Sequence, residues 1–171
     1  FTQAFYNIQK GLASADRIFS ILEAEEKIKD QETAIQIKTF NHQIEYKNVS
    51  FAYHKGDNGY VLRNIQLKIE KGKTIALVGQ SGSGKTTLAD LLPRYYDIDE
   101  GEILIDGVDI RQIKLHDLRS LMGVVSQEPI LFNDTIFNNI AFGLDHVSEQ
   151  AVADAAKVAN AHEFIIQLPD G

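Results

Sequence analysis

Residues 74–86 read TIALVGQSGSGKT, a short apolar run that ends in a glycine-rich loop. The apolar run at 74–78 predicts a strand that is buried on both faces of a mostly parallel sheet. Residues 85–92 have a helical pattern, which the proline that follows them ends. Between strand and helix, residues 79–86 match the phosphate-loop pattern G-x-x-x-x-G-K-[ST] in the structural context that this pattern requires. The stretch therefore predicts an α/β fold built around a phosphate-binding loop.

The composition of the loop suits phosphate chemistry. Glycines let the backbone turn tightly, so that successive N–H groups and the positive end of the helix point at phosphate oxygens. Lys85 is predicted to bridge the β- and γ-phosphates of ATP, Thr86 to ligate Mg²⁺, and Thr87 to support the α-phosphate side. The predicted nucleotide-binding residues of the loop are Gly79, Gln80, Ser81, Gly82, Ser83, Gly84, Lys85, Thr86 and Thr87. The alternative is a glycine-rich turn that binds nothing.

Two other patterns resemble catalytic motifs. Ser81 lies in a Gly-x-Ser context, but Ser83 occupies the position where a nucleophile elbow needs glycine, so a serine hydrolase is rejected. Asp106 ends an apolar run, as does the Mg²⁺-binding aspartate of a second nucleotide motif. Because Gly107 stands where that motif needs an acid, we expect Asp106 to be a structural residue in a strand and turn.

Composition bounds the class of protein. The 171 residues are 44% apolar and 24% charged, which is typical of one globular domain with appendages. The formal net charge of -7 disfavours a nucleic-acid partner. No cysteine is present, which excludes disulfides and thiolate metal sites, and the five histidines have no zinc-ligand spacing. No run of about 18 apolar residues predicts a complete membrane span.

The chain divides into three predicted parts: an amphipathic helix at 1–22, a charged linker at 23–41 and a folded domain at 42–171. In the domain, residues 44–53 and 61–69 predict an antiparallel pair around the turn at 55–59. The remaining predicted elements are strands at 102–105 and 122–125, helices at 115–121, 149–160 and 162–167, and a helical region from Thr135 onward.

Several ordered motifs resemble the ATPase domain of ABC exporters, over essentially the whole chain and with most similarity to MsbA-like lipid A and multidrug exporters. The stretches that carry the resemblance are 49–53, 72–86, Arg94-Tyr95-Tyr96-Asp97, 101–107 and 125–129 with Leu131-Phe132. The resemblance implies a P-loop core with an antiparallel β-subdomain and the start of a helical subdomain, in which the sheet is incomplete. It also implies that residues 1–22 are the cytosolic end of a last transmembrane helix.

The resemblance assigns roles to two further residues. Tyr53 is expected to stack on adenine, although its alternation with Val49 and Phe51 also fits a core position. Gln127, which follows the predicted strand at 122–125, is expected to reach Mg²⁺ or the attacking water as a catalytic and metal-binding residue. Residues 128–132 are expected to dock on a membrane domain, with a core position as the alternative for the last two of them.

As an ABC exporter, the protein would use ATP and Mg²⁺ to export a lipid or other amphipathic substrate. Its implied partners are a second nucleotide-binding domain and the membrane domain of the same polypeptide, at the cytoplasmic face of the inner membrane, with no nucleic acid. The alternatives are a soluble P-loop ATPase of DNA repair or chromosome handling and a non-catalytic fragment. Because the family's serine-glycine signature, aspartate-glutamate pair and switch histidine do not occur in this sequence, we expect the chain alone to bind nucleotide weakly, to hydrolyse none and to self-associate through an unpaired strand edge.

Overall fold

The computed structural model describes residues 2–24, 28–54 and 59–168, and the chain forms two compact units, Phe1–Gly123 and Val124–Gly171. The first unit contains an N-terminal helix, an antiparallel sheet and the glycine-rich loop. The described part of the second unit contains three short helices.

The N-terminal helix, α1 (Thr2–Leu22), confirms the helix predicted from the three- and four-residue apolar spacing. Its apolar side chains are largely exposed: Phe5 at 64% and Leu22 at 73% mark the two ends of the described stripe. Within the described ranges, no helix has both the length and the apolar character that crossing a membrane requires.

In the described ranges, four strands form one sheet in the order β2-β1-β3-β4, with every neighbouring pair antiparallel. They are β1 (Gln43–Phe51), β2 (Leu62–Glu70), β3 (Glu100–Ile105) and β4 (Val108–Asp109). The predicted antiparallel pair is confirmed by the β1–β2 ladder, in which Tyr46 lies opposite Leu67 and Val49 opposite Ile65. Of the predicted turn at 55–59, all but Gly59 lies outside the described residues.

The core of the first unit joins the sheet to two helices, α2 (Lys85–Leu91) and α3 (Leu115–Ser120). Its fully buried side chains include Val49, Leu91, Ile103, Ile105, Ile113 and Leu118. Full burial of one such aliphatic side chain is worth about 1.5–3 kcal/mol. The Tyr46 hydroxyl crosses this core to donate a 3.1 Å hydrogen bond to the Leu88 carbonyl, and burial raises its pKa well above the usual value. The glycine-rich loop is thereby carried on a helix that is anchored to the sheet.

Two strand predictions were wrong. Residues 74–78 and 122–125 have no strand structure, and Val78 and Val125 are 93% and 98% exposed. A strand requires a neighbour that accepts and donates backbone hydrogen bonds. The described residues pair only in the antiparallel sheet and in one isolated bridge elsewhere, so these apolar runs have no ladder to join. The expected incomplete sheet is confirmed, because the antiparallel sheet is open.

The segment that precedes β1 packs on the domain. Ile35 forms an isolated β-bridge with Ile113. The Ile35 N–H donates a 2.8 Å hydrogen bond to the Gln112 carbonyl, and the Ile35 carbonyl accepts a 3.0 Å hydrogen bond from the Lys114 N–H. Asp30 Oδ1 accepts a 2.7 Å hydrogen bond from the backbone N–H of Leu115, the first residue of α3. The described part of the predicted linker thus contacts the folded domain.

The second unit confirms the helical region predicted from Thr135 onward, with α4 (Ile136–Ile140), α5 (Glu149–Val158) and α6 (His162–Ile165). Thr135 and Ser148 begin α4 and α5 as N-caps, since their hydroxyls accept hydrogen bonds from backbone N–H groups three residues on. Helices α5 and α6 end two residues earlier than predicted, at Val158 and Ile165.

Candidate nucleotide-binding site

The phosphate loop has the backbone shape that its glycines predict. Gly82 and Gly84 have φ values of +79° and +87°, in the left-handed region that favours glycine. Gly84 also begins α2 and lies against β2, so that a Cβ atom there would come within 2.8 Å of Leu62 Cδ2. The loop is therefore packed directly on the sheet and its curvature depends on glycine at two positions.

The Lys85 side chain turns back into the loop. Its Nζ donates to the carbonyl oxygens of Gly79 at 2.9 Å and Gln80 at 2.7 Å, and to Ser83 Oγ at 3.3 Å. These partners are neutral, whereas the oxygens of a polyphosphate carry negative charge, so a contact with phosphate adds an ion pair to the hydrogen bond that the ammonium donates. The ammonium group is thus placed among backbone groups that phosphate oxygens can replace.

Tyr53 lies next to the loop and not in the core. Strand β1 ends at Phe51, which is 3% exposed, whereas Tyr53 is 46% exposed. The Tyr53 hydroxyl shares a 2.9 Å hydrogen bond with Oγ1 of Thr87, a buried residue at the beginning of α2. The structure thereby excludes the core alternative and brings two predicted nucleotide-binding residues together.

Asp106 is a structural residue, as expected. Its carboxylate accepts backbone N–H groups from Asn41 at 2.7 Å, His42 at 2.7 Å and Gln43 at 2.9 Å. Burial acts to raise the pKa of Asp106, but these three hydrogen bonds outweigh it and hold the pKa below its usual value. The ionised carboxyl holds the start of β1 in place through these three hydrogen bonds, which is a structural role.

Gln127 belongs to the second unit and is exposed, in an irregular segment where Ser126 Oγ donates a 3.1 Å hydrogen bond to Glu128 O. Further along this segment, Phe132 stacks on Phe142 with ring centroids 4.5 Å apart and remains 50% exposed. Leu131 is 79% exposed, so a core position for it is wrong within this unit. The metal and catalytic roles of Gln127 stay predictions.

The residues present suit a magnesium–nucleotide complex. Mg²⁺ usually keeps several waters and takes one or two protein oxygens together with substrate phosphates, so that it needs no cage of carboxylates. In the described parts of the chain, no group of three or more histidine, aspartate or glutamate side chains could hold a metal. Thr86 follows Lys85 at the beginning of α2 and is exposed, which leaves it accessible to a cation carried by phosphates.

Several known proteins are similar to this chain in sequence. The sequence profile described as ABC transporter matches residues 62–169. The chain belongs to the ABC transporter family. It is 50% identical over 164 residues to the ATP-dependent lipid A-core flippase of Syntrophus aciditrophicus and 45% identical over 164 residues to that of Escherichia coli. These alignments cover 96% and 95% of this chain but only 27% and 28% of the two relatives.

Part of a solved ABC transporter structure has the same fold as this chain. The structure of a bacterial Atm1-family ABC exporter with ATP bound superposes with a TM-score of 0.83 at 38% sequence identity. It covers 98% of this chain, and this chain covers 29% of it. The predicted ABC ATPase fold is confirmed, and membership of this family implies nucleotide binding.

One residue of this ABC transporter chain was not singled out from sequence. Tyr96 contacts Tyr53, with ring centroids 5.1 Å apart and an interplanar angle of 87°. The residue is part of the Arg94-Tyr95-Tyr96-Asp97 motif that carries the family resemblance, but nothing in the local pattern predicts which tyrosine contacts Tyr53. Tyr96 follows Tyr53 by 43 positions, which places this contact beyond any helical or strand periodicity.

Proposed function

We propose that this chain is the ATP-binding part of an ABC exporter that couples ATP binding and hydrolysis to the export of a lipid or other amphipathic substrate. The observation that carries the proposal is the Lys85 ammonium, held inside the glycine-rich loop by the carbonyls of Gly79 and Gln80. An ammonium on the concave side of such a loop is suited to a polyphosphate, because phosphate oxygens can accept its three N–H donors together with backbone N–H groups.

Different residues in and near the loop bind different parts of the nucleotide. Lys85 binds the β- and γ-phosphates, and the N–H groups of residues 79–84 bind the same oxygens from the backbone. Thr87 supports the α-phosphate side. The Tyr53 ring stacks on the base. The hydrogen bond between the hydroxyl groups of Tyr53 and Thr87 sets the orientation of this ring.

Thr86 and Gln127 are the proposed protein ligands of Mg²⁺. When bound, Mg²⁺ would neutralise charge on the β- and γ-phosphate oxygens during phosphoryl transfer. Gln127 orients water toward the γ-phosphate with its side-chain amide. Both residues offer oxygen atoms, which a hard cation prefers over nitrogen or sulfur.

The proposed setting is the cytoplasmic face of the inner membrane. The named relatives are lipid A-core flippases, and this chain matches about a quarter of their length, which supports a substrate of lipid or amphipathic character. The proposed partners are a membrane domain of the same polypeptide and a second nucleotide-binding domain. The exposed Leu131 and Phe132 offer apolar contact area for the membrane domain.

Binding of Mg-ATP by Lys85→Ala tests the proposal. Loss of the charge-assisted phosphate contact is worth about 1.5–3 kcal/mol, so the affinity should fall at least about tenfold in titration calorimetry. Lys73→Ala is the matched control, because it removes an exposed lysine close to the loop in sequence but outside it. The control should bind within about twofold of wild type. Equal affinities of wild type and Lys85→Ala, with both folded by circular dichroism, would refute the proposal.

A further inference from the structure

Three aromatic side chains meet beside the phosphate loop. Phe51 and Tyr53 have ring centroids 5.0 Å apart, Tyr53 and Tyr96 5.1 Å, and Phe51 and Tyr96 5.6 Å. We call this set the aromatic triangle. Both contacts of Tyr53 are edge-to-face, with interplanar angles of 80° and 87°, the geometry that aromatic quadrupoles favour.

Tyr96 lies in a turn that several side-chain hydrogen bonds stabilise. Arg94 is 4% exposed and has a left-handed φ of +56°, and its guanidinium makes two hydrogen bonds to Asp97 at 2.6 and 3.2 Å. From α3, Arg119 donates to the carbonyl oxygens of Pro93 and Arg94, both at 3.0 Å. A bidentate ion pair, whose guanidinium is buried, and two contacts from a neighbouring helix to backbone carbonyls hold this turn in one conformation.

Tyr53 is exposed, as is Tyr96, and only Phe51 of the three is buried. Phe51 belongs to the core, whereas Tyr53 and Tyr96 are 46% and 42% exposed. The Tyr53 ring is restrained at its tip by the 2.9 Å hydrogen bond to Thr87 and along its sides by the two edge-to-face neighbours. Its orientation is therefore set before any ligand arrives, and part of its surface remains accessible.

We propose that Tyr96 is a positioning residue for the nucleotide base, which acts by holding the ring of Tyr53 in the orientation that stacks on adenine. The proposal rests on the proposed function and adds a role for the turn at residues 93–97. A ring that is already immobilised loses no rotamer freedom when a base stacks on it, so affinity gains from preorganisation. Without Tyr96, the Tyr53 side chain keeps its base-stacking surface but samples other rotamers.

The expected effect is a loss of affinity confined to ligands that carry a base. The interaction free energy of an edge-to-face aromatic pair corresponds to a change of about two- to tenfold in a binding constant. Tyr96→Leu should therefore weaken Mg-ATP binding by about that factor, whereas binding of magnesium tripolyphosphate, which has no base, should not change. Tyr96→Phe keeps the ring and should bind ATP as wild type does.

Titration calorimetry on the 171-residue chain measures the affinities. A competition experiment between ATP and tripolyphosphate, in which saturation-transfer NMR monitors the adenine protons, provides a second measurement. Tyr95→Leu is the matched control, because Tyr95 is a neighbouring, similarly exposed tyrosine whose ring lies 5.6 Å from the Arg119 guanidinium. This control should leave ATP affinity unchanged. Tyr53→Ala is the reference for complete loss of stacking, and it should lower ATP affinity at least as much as Tyr96→Leu.

Each outcome separates the inference from the function on which it rests. If wild type binds neither ATP nor tripolyphosphate, the proposed function fails. If wild type binds both and Tyr96→Leu binds ATP normally, the positioning role is wrong. An equal loss for ATP and tripolyphosphate in Tyr96→Leu also overturns it, because damage to the loop or to the fold does not distinguish the two ligands.

Discussion

Replacement of Asp106 by asparagine should destabilise the first unit without changing nucleotide affinity. The carboxylate accepts three backbone N–H groups, at 2.7, 2.7 and 2.9 Å, from the start of β1 and the two residues before it. Asparagine tolerates the left-handed φ of +51° at this position, so backbone strain stays the same. It keeps one acceptor oxygen, loses the charge and turns an NH₂ group toward N–H donors. The net cost should be about 2 kcal/mol.

Thermal unfolding followed by circular dichroism measures this cost. For a protein of this length, a loss of about 2 kcal/mol corresponds to a fall in Tm of about 4–8 °C. Asp145→Asn is the control, because it removes one exposed negative charge in the second unit. Its Tm should lie within about 1–2 °C of wild type, as expected of a surface substitution.

The difference between wild type and Asp106→Asn should depend on pH. The hydrogen bonds hold the pKa of Asp106 below its usual value in the folded protein. The stabilisation is therefore complete above the unfolded-state pKa of about 4 and is lost as the pH falls through the lower, folded-state pKa. The Tm gap should be constant from about pH 5 to 8 and should shrink below about pH 4.

Two results would refute this reasoning. A Tm gap that persists unchanged at the lowest pH would show that ionisation of Asp106 does not provide the stabilisation. Weaker Mg-ATP binding by Asp106→Asn, at unchanged Tm, would instead make Asp106 part of the nucleotide or metal site.

Two further predictions concern the loop and the second unit. Gly84→Ala should destabilise the protein by about 1–3 kcal/mol more than Gly82→Ala. Both replacements place alanine at a positive φ, but only the Cβ at Gly84 meets Leu62 Cδ2, at 2.8 Å, whereas no atom of the described residues lies within 4 Å of the Cβ at Gly82. Equal Tm values in thermal melts would contradict this. Gln127→Ala should leave ATP affinity within about twofold in calorimetry while it lowers the ATPase rate of the whole transporter, because the residue acts on water and metal rather than on the base. A large loss of affinity would move Gln127 into the nucleotide-binding shell.

The features of this protein that depend on local patterns could be predicted from the amino-acid sequence. The spacing of glycines and Lys85 predicted the phosphate loop, and the run at 103–107 predicted a structural aspartate that the hydrogen bonds of Asp106 then explained. Alternation and helical spacing located α1, the β1–β2 pair and α5 to within one or two residues. These features are encoded within short stretches, where backbone preference and side-chain periodicity act together.

The features that depend on contacts between residues far apart in the chain could not be predicted in this way. The apolar run at 74–78 has the pattern of a buried strand but forms none, because a strand exists only with a hydrogen-bonding neighbour. The alternation of Val49, Phe51 and Tyr53 was equally compatible with a core tyrosine. The hydroxyl bond to Thr87, 34 positions away, places Tyr53 at the loop instead. The contact with Tyr96 depends on the same long-range packing, since chain topology and not local periodicity brings those two rings together.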